Sequence, residues 1–146
     1  MLRLPPPLWA LVYVLACVGL AAMLGWPAGL HSWPVGIALT FLGWAPPVAA
    51  ILLFRREGTE IQPNSETNKA LITRGPYHFT RNPMYLGLVI VTFGLALWIG
   101  SWPMLLAPAL VFATANFVHI PFEEAKMRRQ FGEAFDAYTR RVRRWI

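Results

Sequence analysis

The chain alternates long apolar stretches with short, strongly polar ones. Residues 4–54 and 82–122 contain no Asp, Glu, Lys or Arg, whereas eight charges fall in residues 55–81 and eleven in residues 123–144. One bilayer crossing needs ~20 apolar residues, so each uncharged block is too long for a buried core helix and long enough for about two crossings. In the first block, the stretch 26–34 holds two prolines, a glycine and His31, and separates a helix over about 8–25 from one over about 35–54. Pro46-Pro47 removes two backbone donors from the second and predicts a kink there, either a packing feature or the wall of a cavity. In the second block, Gly100-Ser101-Trp102-Pro103 divides the apolar run into 84–99 and 103–120, a tight antiparallel hairpin of short helices. Past it, Met127, Phe131, Ala134, Phe135, Tyr138 and Val142 recur at helical spacing, with Lys126, Arg129, Glu133, Arg140 and Arg144 between them. That pattern predicts an amphipathic helix that either lies in the headgroup plane or covers a site.

The fold class that follows is an all-α membrane protein of about four transmembrane helices with a C-terminal amphipathic helix. One domain covers 1–146: two transmembrane helices in 1–54, a loop over 55–83, a transmembrane hairpin over 84–120 and the amphipathic helix over 121–146. Composition agrees, with 56% hydrophobic and only 14% charged residues, against about a quarter charged in soluble domains. The single Cys17 builds neither a disulfide framework nor a cysteine metal site within one chain, and no metal centre is expected. The net charge of +6 flanks membrane segments and therefore reads as contact with anionic lipid rather than nucleic acid. Arg3 is the only charge ahead of the first apolar run, and more apolar chain follows, so that run reads as a mature helix rather than a signal peptide. Apart from Arg3, Lys and Arg are confined to the blocks 55–83 and 123–146, and the loops 26–34 and 100–102 have none. The positive-inside rule then places both basic blocks and both termini in the cytoplasm, which makes this a multi-pass protein with its chemistry on one face.

Ion carriers and pumps keep ionisable groups at mid-membrane. The only candidate here, His119, ends the last apolar run. The polar residues gather instead in Gly75-Pro76-Tyr77-His78-Phe79-Thr80-Arg81-Asn82-Pro83-Met84-Tyr85-Leu86-Gly87 and, later, in His119 with Glu123-Glu124. Asn82 is placed to cap a helix that Pro83 opens, with free amides behind it that suit an anionic group. The plainer reading is a capped helix with a snorkelling Arg81. Glu123-Glu124 likewise suits a helix start as well as a site.

Three stretches carry a resemblance: Phe54-Arg55-Arg56-Glu57-Gly58-Thr59, Leu71-Ile72-Thr73-Arg74-Gly75-Pro76-Tyr77 and Thr80-Arg81-Asn82-Pro83-Met84-Tyr85-Leu86-Gly87. Together with Glu123-Glu124, Phe131-Gly132-Glu133, Tyr138 and Arg141-Val142-Arg143-Arg144-Trp145-Ile146, they make residues 54–146 similar to the integral membrane methyltransferases. That superfamily includes isoprenylcysteine carboxyl methyltransferases and phospholipid N-methyltransferases. The resemblance implies S-adenosylmethionine as cofactor, held in a pocket at the cytoplasmic face. By position its contacts would be Gln62, Lys69, Ala70, Leu71, Ile72, Tyr77, Asn82, Pro83, Met84, Tyr85, Gly87 and Glu123, with Glu124 completing the pair typical of the phospholipid enzymes. A carboxylate accepts from ribose hydroxyls or an ammonium group, aromatic faces sit against a sulfonium, and Gly87 permits close backbone approach.

The implied function is methyl transfer to a lipophilic small molecule or lipid. Positioning and exclusion of water can supply most of the acceleration, so no triad or metal site is needed. The eukaryotic isoprenylcysteine enzymes have an Arg four residues before the tail glutamate; here that place holds His119, a weaker and pH-dependent anion partner or a base. Where the family often has RHP, this chain has Arg81-Asn82-Pro83. The acceptor candidates are therefore, in falling order, a small lipophilic acid or thiol, a prenylated cysteine, and a phospholipid amine, with Arg81 and His119 facing the acceptor. The rival class is a non-enzymatic lipid-binding or scaffold protein.

Overall fold

Proline leads most of the helices. The computed structural model describes residues 5–58 and 70–146. Its helices α1 (Pro6–Met23), α2 (Trp33–Leu42), α3 (Ala45–Glu57) and α4 (Pro83–Ile99) all have proline in the first two positions. There the missing N–H is one the helix would leave unpaired anyway, and the fixed φ favours the first turn. Pro46-Pro47 therefore starts a helix rather than bending one. The expected kink is a break at Gly43-Trp44, after which α3 begins anew.

The second half is one long helical rod. A short 3₁₀ turn, Trp102–Leu105, leads into α5 (Leu106–Thr114), a π-helical turn Ala115–His119, and α6 (Ile120–Phe131). The hairpin's second arm was expected to stop at residue 120, but it runs on unbroken into the polar region. Pro121 explains the wide turn, because a proline inside a helix has no N–H to give and crowds the carbonyl of the preceding turn. Widening that turn relieves the crowding, and such bulges cluster at functional sites. Gly132, at φ 51°, then redirects the chain into α7 (Glu133–Arg141). The predicted single amphipathic helix is thus two pieces.

Pro6–Met23, Trp33–Glu57 and Trp102–Phe131 are each long and apolar enough to cross a membrane. α4 has 17 residues, about 26 Å of rise against a hydrocarbon core of about 30 Å. Large side chains including Leu11, Val12, Leu15, Phe41 and Phe117 point outward from these helices, as lipid-facing side chains do.

Between α2 and α4 the seam is made of glycine. A Cβ on Gly36 would meet the Trp98 nitrogen at 2.5 Å, one on Gly94 the Thr40 nitrogen at 2.5 Å, and one on Gly43 the Val91 nitrogen at 2.8 Å. Gly87 faces Pro47 and the carbonyl of Gly43. Such small-residue seams let helix backbones touch where apolar burial gives no drive to associate. At the end remote from the basic blocks the two uncharged loops are stitched together. Gly29 N–H donates to the Gly100 carbonyl at 2.8 Å, and Ser101 Oγ donates to the Pro27 carbonyl at 2.8 Å. α1 closes against α4 and α5 through Trp9, Ala10, Tyr85, Leu88, Val111, Ala115 and Ile120. This cluster fixes the ends of three helices beside the polar residues.

Candidate active site

Residue Pro83 places the site. By starting α4 it leaves Arg81 and Asn82 on the incoming loop and puts Tyr85 on the first turn, buried. The Tyr85 hydroxyl donates to Glu123 Oε1 at 2.6 Å, joining the start of α4 to α6 across 38 positions of sequence. The Tyr85 ring also lies 6.0 Å from that of His119, which the π-helical turn supplies one helical turn ahead of Glu123. Trp9 of α1 completes the group, parallel to His119 at 5.1 Å and 11° and stacked on Tyr85 at 6.4 Å.

Tyr77 approaches from the loop, in a 3₁₀ turn Gly75–His78. Its ring meets Phe54 edge-on, and its carbonyl accepts from the Tyr138 hydroxyl at 2.7 Å. Burial, and then the charge of Glu123, hold the Tyr77 phenol well above the ordinary tyrosine range. Burial likewise pushes Tyr138 up to about 12, against the opposing pull of Arg81. Both phenols stay protonated at physiological pH, and that of Tyr138 acts as a neutral donor. Leu71 packs with Phe135, Tyr138 and Val142, and Ile72 is buried, so this stretch of loop is pinned by α7.

A second carboxylate organises the rim. Glu124 lies 3.2 Å from the Arg81 guanidinium and 2.7 Å from that of Arg144. The backbone after α7 then ties down the loop before α4. Arg81 N–H donates to the Arg143 carbonyl at 3.0 Å, while Thr80 Oγ1 and Asn82 Nδ2 donate to the Arg144 carbonyl at 3.1 and 2.9 Å. Trp145 Nε1 donates to Asn116 Oδ1 at 3.1 Å, so the same segment also grips the π-helical turn.

Most of the residues expected at a site are brought together: Tyr77, Asn82, Pro83, Met84, Tyr85, His119, Glu123 and Glu124 lie where α4, α6 and the incoming loop meet. Gln62 and Lys69 fall outside the described residues. Ala70 and Leu71 enter on the loop, half-buried. Three expectations change in detail. Asn82 stands at the N-cap position, but its side chain makes no cap and bonds Arg144 instead. Gly87 faces α3, where close packing accounts for its lack of a side chain. Arg81 and Glu124 engage each other, which commits part of both charges inside the chain. Trp9 and Asn116 went unnoticed in the sequence. Asn116 gave a signal, a lone amide in an apolar run; Trp9 gave none.

These features define a class: an α-helical membrane protein whose carboxylates and aromatic rings converge at one end of a helical hairpin. The chain belongs to the phospholipid methyltransferase family, whose sequence model matches residues 31–134. It is 28% identical over 109 residues to a probable protein-S-isoprenylcysteine O-methyltransferase of Oryza sativa subsp. indica, covering 74% of this chain and 57% of that protein. It is 29% identical over 115 residues to protein-S-isoprenylcysteine O-methyltransferase B of Arabidopsis thaliana, covering 77% and 58%. A third relative, an uncharacterized protein of Haemophilus influenzae, is 30% identical over 63 residues, 43% of this chain and 100% of that one. The chain thus spans less than two thirds of the length of its plant relatives. No solved structure matches it.

Proposed function

We propose that the chain transfers a methyl group from S-adenosylmethionine to a lipophilic acceptor at the cytoplasmic face of the membrane. The observation that carries this reading is the Tyr85–Glu123 pair at 2.6 Å, set beside the Trp9 and His119 rings and within electrostatic reach of Tyr77. These residues suit the donor molecule. A carboxylate has about four lone-pair sites, and the Tyr85 bond occupies one, leaving capacity for ribose hydroxyls or an ammonium group. The faces of Tyr77 and Tyr85 suit a sulfonium. When bound, the donor supplies an activated methyl carbon on a good leaving group.

The protein's own part is to hold and to exclude. Tyr85 orients the Glu123 carboxylate; the Arg143 and Arg144 carbonyls fix the Thr80–Asn82 loop; the ring cluster keeps water from the reacting end. An ionised acid or a thiolate needs no base, whereas an amine must first lose its proton, for which His119 is the nearest candidate. With histidine where the isoprenylcysteine enzymes carry arginine, a small lipophilic acid or thiol heads the acceptor classes, ahead of a prenylated cysteine and a phospholipid amine. The positive-inside rule, applied to the two basic blocks, supports the cytoplasmic side for the site.

The test is thermal stability of the purified protein with S-adenosylmethionine or S-adenosylhomocysteine. At 100 times its dissociation constant, a ligand of the folded state stabilises by ~2.7 kcal/mol. Labelled methyl transfer into extracted lipids then identifies the acceptor. No shift with either compound would leave a lipid-binding scaffold as the better account.

A further inference from the structure

Trp9 stands outside everything the family match covers, since residues 31–134 begin after α1 ends. It is nevertheless among the most buried large side chains of the protein, 2% exposed, and its indole lies parallel to the His119 ring. Packing explains the ring; it does not explain the polar atoms. Trp9 Nε1 and His119 Nε2 are both buried, and among the described residues neither has a hydrogen-bond partner. Buried polar groups are nearly always paired, and an indole N–H left in an apolar wall is costly. Trp9 packs in a buried cluster with Ala10, Tyr85, Leu88, Val111, Ala115 and Ile120, among which the one polar side-chain group, the Tyr85 hydroxyl, is already given to Glu123. Two orphaned atoms on one stacked pair, next to the tyrosine that bonds Glu123, form a small polar site in apolar surroundings.

The atom types restrict what completes it. An indole N–H only donates, and an imidazole nitrogen either donates or accepts according to its tautomer. A carboxylate or other oxygen with free lone pairs satisfies both, whereas an ammonium group has no lone pair and leaves Trp9 unpaired.

We propose that Trp9 and His119 form the head-group subsite for the lipophilic acceptor, with Trp9 Nε1–H donating to an acceptor oxygen and so selecting oxygen-headed over amine-headed substrates. This rests on the methyltransferase reading for the identity of the site. Trp9 is then a specificity-determining residue supplied by the helix that the family match leaves out.

Decanoate and decylamine, equal in chain length and different in head group, are the probes. In the full-length protein labelled with ¹⁵N-tryptophan, Trp9→Phe identifies the Trp9 indole resonance by its loss. Decanoate moves that resonance downfield, as a new hydrogen bond does, and decylamine leaves it in place. Trp9→Phe keeps the stacked ring and removes only the donor, so it weakens decanoate binding about tenfold, in line with the loss of one hydrogen bond to a charged group. If Trp9→Phe does not fold, replacing the other tryptophans by Phe one at a time assigns the resonance by elimination. An unmoved resonance with decanoate, an equal shift with decylamine, or undiminished decanoate binding in a folded Trp9→Phe protein overturns the proposal. Failure of S-adenosylhomocysteine to bind the wild-type protein instead overturns the methyltransferase reading, and leaves the indole result to be judged on its own.

Discussion

Tyr85 does two jobs with two parts of one side chain. Its ring joins the stack with Trp9 and His119, and its hydroxyl bonds Glu123. Substitution by Phe separates them. Tyr85→Phe should weaken S-adenosylhomocysteine binding about tenfold, the effect of losing one charge-assisted hydrogen bond that orients the carboxylate. Thermal stability should barely change, because the buried ring remains. Titration calorimetry in detergent measures the first and thermal unfolding the second; full donor affinity in a folded variant would remove Tyr85–Glu123 from the donor site. At this scale the sequence was informative where chemistry is written in motifs. Arg81-Asn82-Pro83 and Glu123-Glu124 pointed to residues that the fold brings together, because a proline start and a carboxylate pair are local signals. It was silent on Trp9, since an aromatic residue near the end of an apolar helix looks the same whether it faces lipid or a buried histidine ring. The fate of the Asn82 side chain was equally hidden. Its partner is 62 residues away, and capping statistics concern only neighbours.

At the scale of elements, the spacing of apolar runs placed α1 and α4 to within a few residues, yet it missed two junctions elsewhere. Pro46-Pro47 opens α3 instead of kinking it, because the break falls at Gly43, where the α4 backbone presses against the chain. The run ending near residue 120 continues through Pro121, because the π-helical turn absorbs the misfit. Periodicity cannot reveal either outcome, since both depend on what lies alongside. The glycine seam shows how directly neighbours decide. Gly94→Ala drives a methyl group into the Thr40 backbone, and relieving that overlap by moving α2 off α4 should cost about 1–3 kcal/mol. Gly19→Ala in α1 meets nothing within 4 Å and should be neutral or slightly stabilising through better helix propensity. Thermal unfolding of the two variants side by side is the check, and equal stability would mean that the seam is looser than its contacts indicate.

For the whole molecule, the decisive property is asymmetry between its two ends. One end joins uncharged loops through Gly29, Gly100 and Ser101; the other gathers the arginines, the carboxylates and the stacked rings. A cysteine placed at Ser32 should react with an impermeant external reagent, while cysteines at Asn64 and Ile146 should be protected until the membrane is opened. The reverse pattern would put the donor site where the cell supplies no donor. The seam between Thr80–Asn82 and Arg143–Arg144 also sets a timetable. Its hydrogen bonds join residues 62 and 64 positions apart, so at ~5–20 residues added per second the loop waits roughly 3–12 s for its partner strand to be translated. Through that interval α1 to α3 are already made and α4 follows within its first 17 residues, free to enter the bilayer with the rim of the candidate site unfastened. A ribosome that stalls before residue 143 therefore leaves a helical membrane polypeptide whose site was never closed, and translation itself is the step that arms the protein.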